Sequence, residues 1–203
     1  MLNRGTVILA AATEQAEATV KRLPGEAGFW VLICGDLLVF SAYFVTYAFY
    51  RAEDAALYTR SQEALNQLCG TLNTVILLTS SLFVALGVRA IRAGRRQIVP
   101  RLFLAAIACG IGFGIVKVLE WKEKFSLGLN VSSNDFFMFY FMLTGIHFAH
   151  VVLGMGALVF MTILAGRNRS SPREIVLIEC GAGFWHLVDL LWLVLFALFY
   201  LEK

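Results

Sequence analysis

The chain has 203 residues, of which 59% are hydrophobic and only 15% charged, with a formal net charge of +3 and a mean hydropathy of +0.75. Soluble domains carry about 45–50% apolar and about 25% charged residues, so much of this surface is expected never to meet water, and a polytopic membrane protein follows. So small a charge excess gives no reason to expect a nucleic-acid partner, and three prolines with no low-complexity tract argue against long disordered arms.

Residues 1–27 hold a short apolar run, Thr6 to Ala12, then Glu14, Glu17, Lys21, Arg22 and Pro24-Gly25. The run is far too short to cross a bilayer and reads as part of a short cytoplasmic arm. Residues 28–203 form one membrane domain. Crossing about 30 Å of hydrocarbon takes about 20 helical residues, and five stretches qualify: Gly28 to Tyr50, Leu68 to Ile91, Arg101 to Trp121, Phe136 to Ala165 and Ile175 to Leu201. Their apolar runs are continuous rather than alternating, so helices, which satisfy their own backbone in lipid, are expected over barrel strands. The predicted fold is an all-α bundle of five transmembrane helices.

Orientation follows from the placement of Lys and Arg. Arg4, Lys21, Arg22, Arg89, Arg92, Arg95, Arg96, Arg101, Arg167, Arg169 and Arg173 fall on one side; Arg51, Arg60, Lys122, Lys124 and Lys203 fall on the other. The N-terminus is therefore predicted to be cytoplasmic and the C-terminus outside. Arg89, Arg92, Arg95 and Arg96 fix topology or attract anionic headgroups. Phe29, Trp30, Tyr47, Phe49, Tyr50, Trp121 and Tyr200 lie near span ends and read as interfacial belts. Gly110, Gly112 and Gly114 in the third span, with Gly145, Gly154 and Gly156 in the fourth, offer close helix contacts. Cys34, Cys69, Cys109 and Cys180 occur singly, without the spacing of a disulfide framework or a metal knuckle.

The costly residues are those that could ionise inside lipid: Asp36, Lys117, Glu120, His147, His150, Glu179, His186 and Asp189. His147 and His150 are three apart and share a helix face; Glu179, His186 and Asp189 recur along one stripe. Asp36 sits about 12 Å along the first span at about 1.5 Å per residue. Lys117 and Glu120, also three apart, are a candidate ion pair, or else snorkel to the interface. Interhelical hydrogen bonding, proton handling or lipid contact, and a metal or haem site are all open to such a set. Three histidines are too few for two haems and a copper, and the doubled Glu-x-x-His of a carboxylate-bridged di-iron site is missing. A small proton channel or transporter is a rival reading, weakened by the lack of inverted repeats and broken helices.

Several strings resemble the subunit III family of haem-copper oxidases. FWHLVDLLWLVLFALFYL, from Phe184 to Leu201, is similar to that family's last helix. NDFFMFYFMLTGIHFAHVVLG, from Asn134 to Gly154, is similar to its TG-x-H-x-x-HV-x-x-G helix, and GFWVLICGDLLVF, from Gly28, to its carboxylate-bearing helix. Five helices look like the short bacterial forms, and LPGEAGFW, NTVILLTSS and SNDFFMFYFMLTGIH look most like the nitric oxide reductase accessory proteins (NorE), a quinol- or cytochrome c-oxidase subunit III being the alternative.

The resemblance implies a non-catalytic accessory subunit in a bacterial cytoplasmic membrane, within an electron-transport chain of aerobic respiration or denitrification. Its partner would be a catalytic haem-copper subunit, either subunit I or the nitric oxide reductase large subunit. It implies no cofactor or metal of its own, with haem and copper or iron confined to the partner. Phospholipid would lie in a cleft between the first two helices and the rest. Asp36 would take the place of the family's lipid-facing, proton-side carboxylate, and Glu120, His147, His150, Glu179, His186 and Asp189 would form an internal polar network. Lys117 departs from the neutral residue expected there, marking a pair with Glu120.

Overall fold

A computed structural model describes residues 27–167 and 171–201; of the expected N-terminal arm it describes only Ala27, the rest lying outside the described residues. Every regular element among these is helical, in the order α1 (Ala27–Glu53), α2 (Ala55–Glu63), α3 (Gln67–Arg92), a 3-10 turn (Arg96–Ile98), α4 (Val99–Ser126), α5 (Asp135–Ala165), α6 (Pro172–Phe196) and a π-helical turn (Ala197–Leu201). Five helical segments are long and apolar enough to cross a membrane. The expected multi-pass helical bundle is therefore the fold.

Polar residues mark where the helices begin. The Asp54 side chain accepts from Leu57 N–H to start α2, Asn66 accepts from Leu68 and Cys69 N–H to start α3, and Asn134 accepts from Phe137 N–H to start α5. Each satisfies a backbone donor that has no partner within its own helix. Pro100 in the first turn of α4 and Pro172 opening α6 occupy positions whose N–H groups are not needed. Gly94, at a φ of 72°, turns the chain after α3 in a conformation that a side chain would strain.

Helices α3, α4, α5 and α6 pack around a core that includes Phe103, Phe113, Trp185 and Trp192. The Trp185 ring lies between two backbones. A Cβ on Gly154 would stand 2.7 Å from it and one on Gly110 3.1 Å, so two of the predicted contact glycines do make a close approach. Gly145 and Gly156 have nothing within 4 Å and make no such contact. Ser80 Oγ of α3 donates to the Ala106 carbonyl of α4 at 2.9 Å.

Helix α1 stands apart. Only 11% of its most apolar stretch is buried, against 50% in α6, and Val31, Leu38 and Val45 are exposed where lipid would surround them. The expected cleft between the first two spans and the rest is thus corrected: the second span, α3, belongs to the core, and the opening runs between α1 and the α3–α6 face. Two aromatics assigned to the interfacial belt are also reassigned. Tyr47 and Tyr200 are buried: α2, a helix with no apolar run to announce it, packs on Tyr47, and Tyr200 turns inward against Gly70 of α3 and Glu120 of α4. Tyr58 of α2 packs edge-on against Tyr47 and Phe136, with ring centroids 5.3 and 5.7 Å away.

Candidate functional site

The polar side chains inside the bundle form three groups along its length. At the end that carries α2, Lys117 and Glu120 lie one turn apart on α4 and are joined at 3.0 Å with neither side chain exposed. Lys117 Nζ also donates to Tyr140 OH of α5 at 3.0 Å and to Tyr200 OH of the π turn at 3.1 Å. Tyr200 OH in turn donates to Glu120 Oε1 at 2.5 Å. The ammonium stands over the rings of Tyr140 and Trp192, 4.6 and 5.2 Å from their centroids. Both side chains thus point inward, where hydrogen bonds and ring faces replace water, and not to the interface. Removing two charges from water costs several kcal/mol per ion, so such a pair persists only when its remaining donors and acceptors are satisfied.

The π turn brings Tyr200 to this position. The Leu198 carbonyl lies in this last turn, where helix carbonyls need partners from outside, and it accepts from Tyr47 OH at 3.2 Å and Gln62 Nε2 at 3.0 Å. One carbonyl thereby ties α1, α2 and the end of the last span together. Opposite the turn, Gly70 leaves room for the Tyr200 ring; a Cβ there would stand 2.8 Å from it.

Near mid-bundle, His147 is fully buried beside Phe113 and Trp192, with ring centroids 5.8 and 5.4 Å away, and neither ring nitrogen makes a hydrogen bond. Trp192 Nε1 donates to Thr74 Oγ1 at 3.0 Å. Asn73, next to Thr74 on α3, is buried with its amide unpaired. Ser81 Oγ and His186 Nδ1 share a hydrogen bond of 2.6 Å. Asp189 lies close to the same serine, but neither of its oxygens completes a hydrogen bond.

At the opposite, Arg-rich end, Glu179 Oε1 accepts from Arg92 Nε at 2.9 Å and lies 2.8 Å from its Nη2. Both residues border the cleft between α1 and the α3–α6 face, a cavity of ≈ 530 Å³ walled by apolar side chains such as Trp30, Ile33 and Val88, with Arg89 at its rim. Asp36 faces elsewhere. Its carboxylate is 3.6 Å from His150 Nε2 of α5, an ion pair when that ring carries a proton, while His150 Nδ1 lies 2.9 Å from the Ile146 carbonyl.

The residues singled out in the sequence thus separate. Lys117 and Glu120 share one cluster, His186 and Asp189 meet at Ser81, and Glu179 reaches Arg92. The two α5 histidines, expected on one face, diverge, His147 into the core and His150 toward α1. Among the described residues no three His, Cys, Asp or Glu side chains converge into a group that could hold a metal ion. The sequence reading assigned no role to Tyr140, Asn73, Ser81 or Thr74. All four lie within the strings NTVILLTSS and NDFFMFYFMLTGIHFAHVVLG, where short polar residues interrupt apolar runs, and that interruption is the signal that could have marked them. Chemically, the arrangement can fix helix packing and hold protons; the cleft between α1 and the α3–α6 face beside it is apolar.

The family model described as cytochrome c oxidase subunit III matches residues 7–202. A probable cytochrome c oxidase subunit 3 of Mycobacterium tuberculosis is 25% identical over 173 residues, covering 85% of each chain. A cytochrome bo(3) ubiquinol oxidase subunit 3 of Pseudomonas putida is 25% identical over 175 residues, covering 86% of this chain and 84% of that one. A heme-copper oxidase subunit I+III of Aeropyrum pernix is 25% identical over 181 residues, 86% of this chain but only 22% of the longer relative.

Proposed function

The chain belongs to the cytochrome c oxidase subunit III family, and from that premise we propose that it is a non-catalytic accessory subunit of a haem-copper oxidoreductase complex in a bacterial cytoplasmic membrane. The observation that carries the reading is the family match over residues 7–202, on a bundle whose three histidines are committed to three separate environments. Electron transfer and reduction of the terminal acceptor belong in this reading to a catalytic partner that holds the haem and the copper or iron. A relative named for subunits I and III together supports subunit I as that partner. This chain stabilises the partner and keeps phospholipid beside it. The apolar cleft along α1, rimmed by Arg89 and Arg92, supports the lipid role, since each basic residue near an anionic surface contributes about 1 kcal/mol of attraction. The arginines also support an inward-facing N-terminus.

Within the family, the strings LPGEAGFW and NTVILLTSS support a nitric oxide reductase-associated, NorE-like branch with the reductase large subunit as partner. Relatives named as subunit 3 of cytochrome c and ubiquinol oxidases support a second reading, a subunit III of a terminal oxidase. Purification of the tagged chain in mild detergent tests both. A histidine-rich haem subunit is expected to accompany it; consumption of nitric oxide by the purified complex favours the first reading, and consumption of oxygen alone the second. Repeated isolation as a stable, colourless single chain would overturn both.

A further inference from the structure

The buried cluster at the α2 end is not closed off from the surface. Between α2 and α3 lies a polar cavity of ≈ 160 Å³ lined by Gln62, Glu63, Leu65, Gln67 and Tyr200, room for a few waters at about 30 Å³ each. Tyr200 is common to this cavity and to the cluster, where its hydroxyl donates to Glu120 Oε1 at 2.5 Å and accepts from Lys117 Nζ at 3.1 Å. Tyr200 is thus shared by a polar surface cavity and by the hydrogen bonds of a carboxylate with no exposed area of its own.

We propose that Glu120 is a proton-exchange site served from the α2 end of the bundle through the Tyr200 hydroxyl, with Lys117 compensating the charge of the ionised carboxylate. In the uptake step a hydronium in the cavity gives a proton to the Tyr200 oxygen while the phenol's own proton passes to Glu120 Oε1. A water and an unchanged tyrosine are left, and the carboxylate has become a carboxylic acid. Release is the reverse. The oxygen can serve because a phenol donates once and still has lone pairs for Lys117 and for an incoming proton.

The surroundings leave this route to Tyr200. On α4, Lys124 is paired with Glu123 at 2.9 Å. On α5, Tyr140 OH accepts from Lys117 and lies near Glu120 and Tyr200 as well, but Tyr140 does not line the cavity. The Cys69 thiol of α3 lies near the charges, α6 contributes the Trp192 ring face, and from α1 the Tyr47 hydroxyl donates to the Leu198 carbonyl. Glu63 is the acidic group at the cavity itself.

Infrared difference spectroscopy of the full chain in lipid vesicles tests the proposal. As pH falls, a protonated-carboxyl band is expected to appear, to shift in heavy water, and to be lost in Glu120→Gln. In Tyr200→Phe, which keeps the ring against Gly70, the band should form about tenfold or more slowly after a pH jump, on the scale of losing a positioned proton carrier. Gln67→Leu, an exposed change that replaces a polar part of the cavity wall with an apolar one, should also slow it, and decides the matter if Tyr200→Phe misfolds. Glu120 staying ionised wherever the helices remain intact, or proton uptake at the unaltered rate in both Tyr200→Phe and Gln67→Leu, would overturn the proposal.

Discussion

Helix α1 and the four-helix core each place a carboxylate inside the membrane span, and they hold it in opposite ways. Glu120 has no exposed side-chain area and is bound by Lys117 and Tyr200, and the Lys117 ammonium is bound in turn by Tyr140. The Asp36 side chain is 28% exposed and has one neighbour of complementary charge, His150, at 3.6 Å. Burial alone does not make a charge bearable; a complete set of partners does. The difference matches the mechanics of each region, since the core interlocks through glycines against Trp185, whereas α1 rests on α5, α6 and the π turn through separate contacts along its length: Phe29 at Gly183, Phe40 at His150, and Tyr47 donating to the Leu198 carbonyl.

The largest effect is expected where partners are most complete. Lys117→Met leaves the buried Glu120 without its counter-charge and should destabilise the bundle by about 3–5 kcal/mol, the usual cost of breaking a buried pair from one side. Thermal unfolding in detergent, followed by circular dichroism, measures it. Replacing both partners, Lys117→Met with Glu120→Leu, removes the charge along with its compensation and should recover most of the loss. A double variant as unstable as the single one would mean that packing, and not charge, sets the cost.

A smaller loss is expected from Gly154→Ala. The added methyl would stand 2.7 Å from the Trp185 ring, which is fully buried and also pressed against Gly110. With no free side to move into, the ring or the α5 backbone must shift, costing about 1–3 kcal/mol. Gly156→Ala serves as the control, because nothing lies within 4 Å of that position. The same unfolding assay should separate the two variants clearly; equal stabilities would mean that α5 and α6 fit less tightly than the Trp185 contact indicates.

Much of the architecture was legible because lipid imposes a simple rule: long apolar runs must be helices that satisfy themselves. The spans begin and end within a few residues of expectation, and Lys117 and Glu120, three residues apart, lie within 3.0 Å of each other. What escaped is equally physical. Helix α2 is short and polar on average, so no apolar run marks it, although Asp54 at its start is the kind of residue that caps a helix. The π turn at Ala197–Leu201 has no periodic signature, so Tyr200 read as an interfacial ring when the widened turn directs it inward. His147 and His150 share a face by arithmetic, yet α5 is contacted from both sides there. A spacing of about 60° is then enough to send one ring to Trp192 and the other to Asp36.

The smallest effect is expected at Asp36, and there the contrast between the two regions is sharpest. Asp36→Asn keeps the size of the side chain and removes its charge. The partner is a single histidine at 3.6 Å, and both side chains are partly open to the surroundings, so little electrostatic energy is lost and less desolvation cost is relieved. A change within about 1 kcal/mol is expected, in the range of exposed pairs. Core unfolding should be unaltered, while the α1–α5 contact loosens. Limited cross-linking between cysteines placed at Leu32 and Leu153, which line one opening between these helices, would detect that loosening as a lower yield. A stability loss in Asp36→Asn as large as that of Lys117→Met would show instead that α1 is part of the same cooperative unit as the core, and that its carboxylate is held as firmly as Glu120.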